Sequence, residues 1–150
     1  MRSGTLLEEA LTAGCEVVGS DLDADAVAIA RQNVPRAVVD RADVLNLPQD
    51  DAAFDAVVSN LPFGRQFPVQ DPARWLRQAL AEMARVTRPG GRIVVLVPSP
   101  LPRIGSELTL ASSYPLRLLG VGTRIWVFDR GPASDGNYVP HSNDTAPARR

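Results

Sequence analysis

Lysine is absent: all sixteen basic residues are arginine, against seventeen acids, and the net charge is −1. A surface that tracks a phosphate backbone usually makes its whole domain basic, so any contact with nucleic acid has to be local or supplied elsewhere. Cysteine and histidine occur once each, at Cys15 and His141. A lone thiol builds neither a disulfide framework nor a cysteine zinc site, and one histidine near the end of the chain argues against imidazole catalysis. No metal site is expected. Aromatics make up 5% of the residues, and no apolar run has the length of a signal-peptide core or a membrane span. The compartment this predicts is the cytosol.

What is present is β-α-β alternation, in 150 residues that suffice for one α/β domain with a sizeable core. Short apolar stretches rich in β-branched residues at 16–19, 37–39, 54–59 and 92–97 lack strict polar alternation and predict buried parallel strands. Helical segments at 5–13, 25–33 and 71–87 lie between them, the last with Trp75-Leu76, Leu80 and Met83-Ala84 on one face. Pro89-Gly90-Gly91 reads as the stop of that helix and the turn into the next strand. Segments 116–120 and 123–128 around Val121-Gly122 predict an antiparallel hairpin. From Gly131 onward Pro, Ser, Asp, Asn and Gly prevail without periodicity. The expectation is therefore a Rossmann-like, doubly wound, mostly parallel sheet closed by a C-terminal hairpin in residues 1–130, and a disordered tail over 131–150.

In open α/β sheets ligands collect outside the carboxyl ends of the strands, where Asp21, Asp43 and Asn60 fall. A carboxylate at Asp21 suits the two hydroxyls of a ribose, and Leu22 beside it could cover a purine face. The competing role for Asp21, Asp23 and Asp25 is N-capping of the next helix, which we assign to Asp23 or Asp25. Asp43 either starts the turn at Leu45-Asn46-Leu47-Pro48 or accepts from an adenine amino group. The stretch Ser59-Asn60-Leu61-Pro62-Phe63-Gly64-Arg65-Gln66 carries more chemistry. An exocyclic base amine is a poor nucleophile because its lone pair is delocalised. The Asn60 oxygen and a neighbouring backbone carbonyl can each accept one of its N–H groups, while Phe63 stacks on the base. Gly64 lets the loop adapt, and Arg65 suits a phosphate or carboxylate. Read structurally, Asn-x-Pro only ends a strand.

Taken together, Gly19-Ser20-Asp21-Leu22-Asp23, Arg41-Ala42-Asp43, the Ser59–Gln66 stretch and Arg88-Pro89-Gly90-Gly91-Arg92 resemble a class I S-adenosylmethionine-dependent methyltransferase over residues 3–130. More narrowly, they look like the catalytic domain of the THUMP-containing RNA methyltransferases that modify guanine N2 in tRNA. The resemblance implies S-adenosylmethionine as cofactor, held by Ser3, Gly4, Thr5, Asp21, Leu22, Asp43, Val44 and Asn60. It implies Asn60, Pro62 and Phe63 as the catalytic element, with Phe63, Gly64 and Arg65 on an RNA substrate and no membrane partner. Leu61 stands where the family has a first proline. The family also opens with a buried strand and a glycine-rich loop, of which Ser3-Gly4-Thr5 alone correspond here. An N-terminally truncated form is therefore expected, lacking the strand that sits mid-sheet. Alternatives are methylation of adenine N6 or of a protein glutamine, an inactive remnant, and a nicotinamide enzyme, which explains Asp21 but not residues 60–63.

Overall fold

The computed structural model describes residues 4–62, 69–98, 100–118 and 120–132. Helix α1 (Thr5–Thr12) leads into β1 (Val18–Asp21), α2 (Ala24–Asn33) and β2 (Val38–Arg41), followed by β3 (Phe54–Asn60), α3 (Pro72–Val86), β4 (Thr87–Pro98), β5 (Leu108–Leu118) and β6 (Val121–Arg130). Each helix is explained locally. Gly4 precedes α1 at φ 103, a left-handed conformation that disfavours other residues, and a Cβ there would stand 2.8 Å from Cγ2 of Val34. Asp71 caps α3 by accepting the Arg74 N–H at 2.9 Å, and Pro72 occupies the first turn, where its missing N–H costs nothing. That helix buries Ala79, Leu80, Met83, Ala84 and Val86. It ends when Thr87 turns extended, its hydroxyl donating to the Met83 carbonyl at 2.7 Å.

Two sheets form, of order β1-β2 and β3-β4-β6-β5. β1 and β2 run parallel from Val18↔Val38 to Asp21↔Arg41. β3 and β4 also run parallel, while β4 with β6 and β5 with β6 are antiparallel. The α/β Rossmann-like class is as expected, with parallel strands in both sheets and the hairpin at the end of the chain. Among the described residues β1 pairs only with β2, and β3 on this side only with β4. Val18 and Val58 are 44% and 54% exposed, unlike the buried strands read from sequence.

Several boundaries move. The first two strands sit about two residues later than the apolar stretches, because the ladder runs on through Ser20, Asp21, Asp40 and Arg41. Pro89-Gly90-Gly91 is not a plain helix-to-strand turn. Phe54 pairs with Thr87 and Ala56 with Arg92, so residues 88–91 bulge out of the head of β4. Gly91 is required there, since a Cβ would approach the Asp55 carbonyl oxygen to 2.6 Å. The hairpin is longer than expected, and Val121 and Gly122 pair with Leu118 and Arg117 instead of forming its connection. The first half of β5 was not expected, because it mixes Thr109, Ser112, Ser113 and Pro115 into its ladder and shifts register between Leu110 and Ser112; its end, Leu116–Leu118, falls in the expected arm 116–120. It is an edge strand, where a proline is tolerated. The expected tail, from residue 133 on, lies outside the described residues.

The main core gathers α3, Ile93, Val95 and Val97 of β4, Leu108, Trp126 and Phe128 of the hairpin, and Leu61. A smaller one joins Val27 and Ala30 of α2 with Val39 of β2, and Leu7 of α1 packs on it. Between them runs the loop 42–53, whose Val44 and Leu45 lean on the main core.

Candidate cofactor and acceptor site

Asp21 is the last residue of β1. Its Oδ1 accepts the Asp23 N–H at 2.9 Å, and among the described residues the second carboxylate oxygen takes no hydrogen bond. Asp23 is the cap of α2, accepting the Asp25 N–H at 2.9 Å, and Asp25 lies in the first helical turn. Of Asp23 and Asp25, the two residues assigned to capping from the sequence, Asp23 is the one that makes the capping bond. Leu22 follows with 54% of its surface exposed, and its carbonyl accepts from Arg41 Nε at 2.9 Å.

Asp43 lies two residues past the end of β2, in the loop. Its Oδ1 accepts the Leu45 N–H and its carbonyl the Asn46 N–H, both at 2.9 Å, so it does start the turn. Of the resemblance-derived cofactor residues, Val44 is half-buried against the core. Thr5 opens α1, and Gly4 has a packing reason to be glycine that is independent of any ligand.

Asn60 ends β3 opposite Leu96 of β4, half-buried. Leu61, the residue standing in place of the family's proline, is 2% exposed and points into the main core, and Pro62 is exposed beyond it. Phe63, Gly64, Arg65 and Ser3 lie outside the described residues. One hydrogen bond joins two of these strand ends. The Ala42 N–H donates to the Asp21 carbonyl at 3.0 Å, fixing the Asp43 loop to the end of β1. Val44 and Leu45 pack against the main core cluster, to which Leu61 also belongs.

One polar cluster was not singled out from the sequence. Arg85 Nε and Nη2 grip both Glu82 oxygens at 2.9 and 2.7 Å. Its remaining N–H groups reach Asp51 Oδ1 at 2.8 Å and the Gln49 and Leu47 carbonyls at 2.9 and 3.0 Å. Glu82 Oε1 also accepts the Leu47 N–H at 2.8 Å. The hydrogen bonds from Arg85 hold the Glu82 carboxyl below the usual glutamate range, against the opposing effect of burial, and the same partners raise the guanidinium further above its already high value. Glu82 and Arg85 three apart on a helix look in sequence like any solvated ion pair. Among the described residues no acid, histidine and cysteine cluster could hold a metal, and no helix is long and apolar enough to cross a membrane.

Comparison with known proteins places this geometry. Residues 1–95, which contain Asp21, Asp43 and Asn60, match the family model described as methyltransferase domain, and the chain belongs to that family. It is 40% identical over 139 residues to the demethylmenaquinone methyltransferase of Thermus thermophilus, covering 90% of this chain and 58% of that protein. The chain spans about a quarter to three-fifths of the length of the curated relatives it matches, 34% in Paenarthrobacter aurescens and 58% in Thermus. Among solved structures, a SAM-dependent methyltransferase of Methanosarcina mazei superposes with a TM-score of 0.69 at 13% identity, over 87% of this chain and 89% of that one. A geranyl diphosphate methyltransferase in complex with SAM gives 0.62 at 15% identity, over 86% of this chain and 74% of that one. The fold is thus that of the class I methyltransferases, whose cofactor is S-adenosylmethionine.

Proposed function

We propose that this chain, with residues 1–130 as its domain, forms the cofactor-binding and catalytic part of an S-adenosylmethionine-dependent methyltransferase of the cytosol. The observation that carries the reading is the Ala42–Asp21 hydrogen bond, which brings the Asp43 loop to the end of β1, with Val44 and Leu45 packed against the core to which Leu61, next to Asn60, belongs. These residues suit the cofactor: Asp21 has an oxygen to spare for a ribose hydroxyl, and exposed Leu22 offers an apolar cover for the purine. When bound, S-adenosylmethionine supplies a methyl group on a sulfonium. The protein's part is to orient the acceptor and exclude water. The Asn60 side-chain oxygen accepts a hydrogen bond from an N–H or O–H of the acceptor and so orients it toward the methyl group, the acceptor's proton leaving to solvent after transfer, and burial of Leu61 holds that amide in place.

The acceptor we favour is a small molecule with a flat ring, because the curated relatives are demethylmenaquinone methyltransferases. RNA, expected from the sequence resemblance, is the second reading and now rests only on the Asn60-Leu61-Pro62 element, with adenine N6 and protein glutamine behind it. The net charge of −1 does not favour a polynucleotide. Labelled methyl transfer by the full chain to a demethylated naphthoquinol and to unmodified tRNA separates them: label in the organic extract supports the first, label in acid-precipitable RNA the second. Asn60→Ala should abolish transfer and spare cofactor binding by calorimetry. Absence of S-adenosylmethionine binding would leave the inactive-remnant reading standing, and binding of a nicotinamide dinucleotide in its place would return the other Rossmann chemistry.

A further inference from the structure

Both walls of the loop 42–53 have work to do: one end carries Asp43 and follows the bond to Asp21, and the other must return the chain to β3. The loop has no regular secondary structure of its own to hold its path. Its second half, residues 47–52, is held by one helical residue pair. All five N–H donors of Arg85 are committed, two to Glu82 and three to Gln49, Asp51 and Leu47. Glu82 takes the Leu47 N–H, and the Arg85 carbonyl takes the Ala52 N–H at 2.9 Å. The last of these bonds seats Ala52 at φ 57, a conformation unusual for a residue with a Cβ. So much directed bonding from one side chain is more than a surface ion pair needs.

We propose that Glu82 and Arg85 are positioning residues for cofactor binding: by pinning residues 47–52 to α3 they set where Asp43 and Val44 stand beside Asp21. The inference rests on the reading of Asp21 and Asp43 as the cofactor side of the site. It makes the Glu82–Arg85 side of α3 a determinant of cofactor affinity and not of the chemical step. Arg85→Met should raise the S-adenosylmethionine dissociation constant on the order of tenfold, the equivalent of one charge-assisted hydrogen bond, while turnover at saturating cofactor stays within about twofold. Arg85→Lys keeps the charge without the fork and should fall between the two. Glu82→Gln, which retains the fold-compatible shape and an acceptor for Leu47, should weaken binding in the same sense, so the inference does not depend on Arg85→Met folding.

The experiment is calorimetric titration of the full chain and these variants with S-adenosylmethionine, with Asp21→Ala beside them and amide exchange followed at Leu47 and Ala52. Weakened binding in Asp21→Ala and in the Glu82 and Arg85 variants, with faster exchange at both amides, is the expected result. Weakened binding in Asp21→Ala alone overturns the positioning role and leaves the site reading intact. Unchanged binding in Asp21→Ala removes the site reading, and the positioning role falls with it. A drop in turnover at saturation equal to the loss of affinity would also overturn it, since that pattern belongs to general loosening of the fold.

Discussion

Leu61→Ala tests whether the residue that replaces the family's proline serves the site through the core. Leu61 is 2% exposed, and its neighbours in the cluster include Leu80, Ile93 and Val97 together with half-buried Trp75 and Leu76. Truncating a buried leucine costs about 2–5 kcal/mol, the lost transfer energy plus a residual cavity. Partly buried side chains border this cluster, so a partial collapse of the cavity is expected and the loss falls within that range at about 3 kcal/mol. At about 2–4 °C per kcal/mol for a chain of this size, the thermal midpoint should drop by about 6–12 °C. Circular dichroism melts and urea titrations measure it, the latter expected to show a lower midpoint with an unchanged slope. Leu61→Met, which keeps the volume, should lose less than about 1.5 kcal/mol. A Leu61→Ala melt within about 2 °C of the parent, or equal losses for Met and Ala, would refute the claim that this side chain anchors Asn60 to the core.

Other substitutions test other parts of the fold. Gly4→Ala meets both a φ of 103 and the 2.8 Å approach to Val34, so a loss of about 1–3 kcal/mol in urea unfolding is expected, and a neutral result would mean that α1 does not dock on α2 as described. Ala52→Gly removes a left-handed strain of roughly 1–2 kcal/mol at φ 57 and adds chain entropy of about 0.5–1 kcal/mol, so stability should hold or rise slightly; a clear loss would contradict the turn geometry. For Glu82 the folded carboxyl titrates below its unfolded value, so the unfolded chain takes the proton first. Its stabilisation is therefore complete above the unfolded glutamate value of about 4.3 and is lost as the pH falls through the lowered folded value. Urea midpoints of the parent and Glu82→Gln should differ at neutral pH and converge in acid; a gap that widens in acid would reverse the sign assigned here.

How far the sequence could be read depends on which physical signal each residue carries. α3 was legible because its apolar stripe and its Asp71-Pro72 start are both short-range signals, and Asp23 was legible as a cap for the same reason. β5 was legible only at its end, Leu116–Leu118, since an edge strand is held by the ladder to β6 and needs no apolar alternation to form. The Pro89-Gly90-Gly91 bulge was read half correctly: those residues do break the helix, but the pairing of Phe54 with Thr87 draws the break into the sheet, a long-range contact that local turn chemistry does not encode. The site divides along the same line. Asp21, Asp43 and Asn60 are candidates because a polar residue at or just past the end of a strand is a local pattern, whereas the Glu82–Arg85 grip on Leu47, Gln49 and Asp51 spans 34 to 38 positions and has no local mark. The acceptor is the least legible feature for a related reason. On the proposed function, Asn60, Leu61 and Pro62 would hold a proton-bearing group, which a quinol hydroxyl and a base amine both carry, so the choice between acceptors lies in surfaces that bind the rest of the molecule.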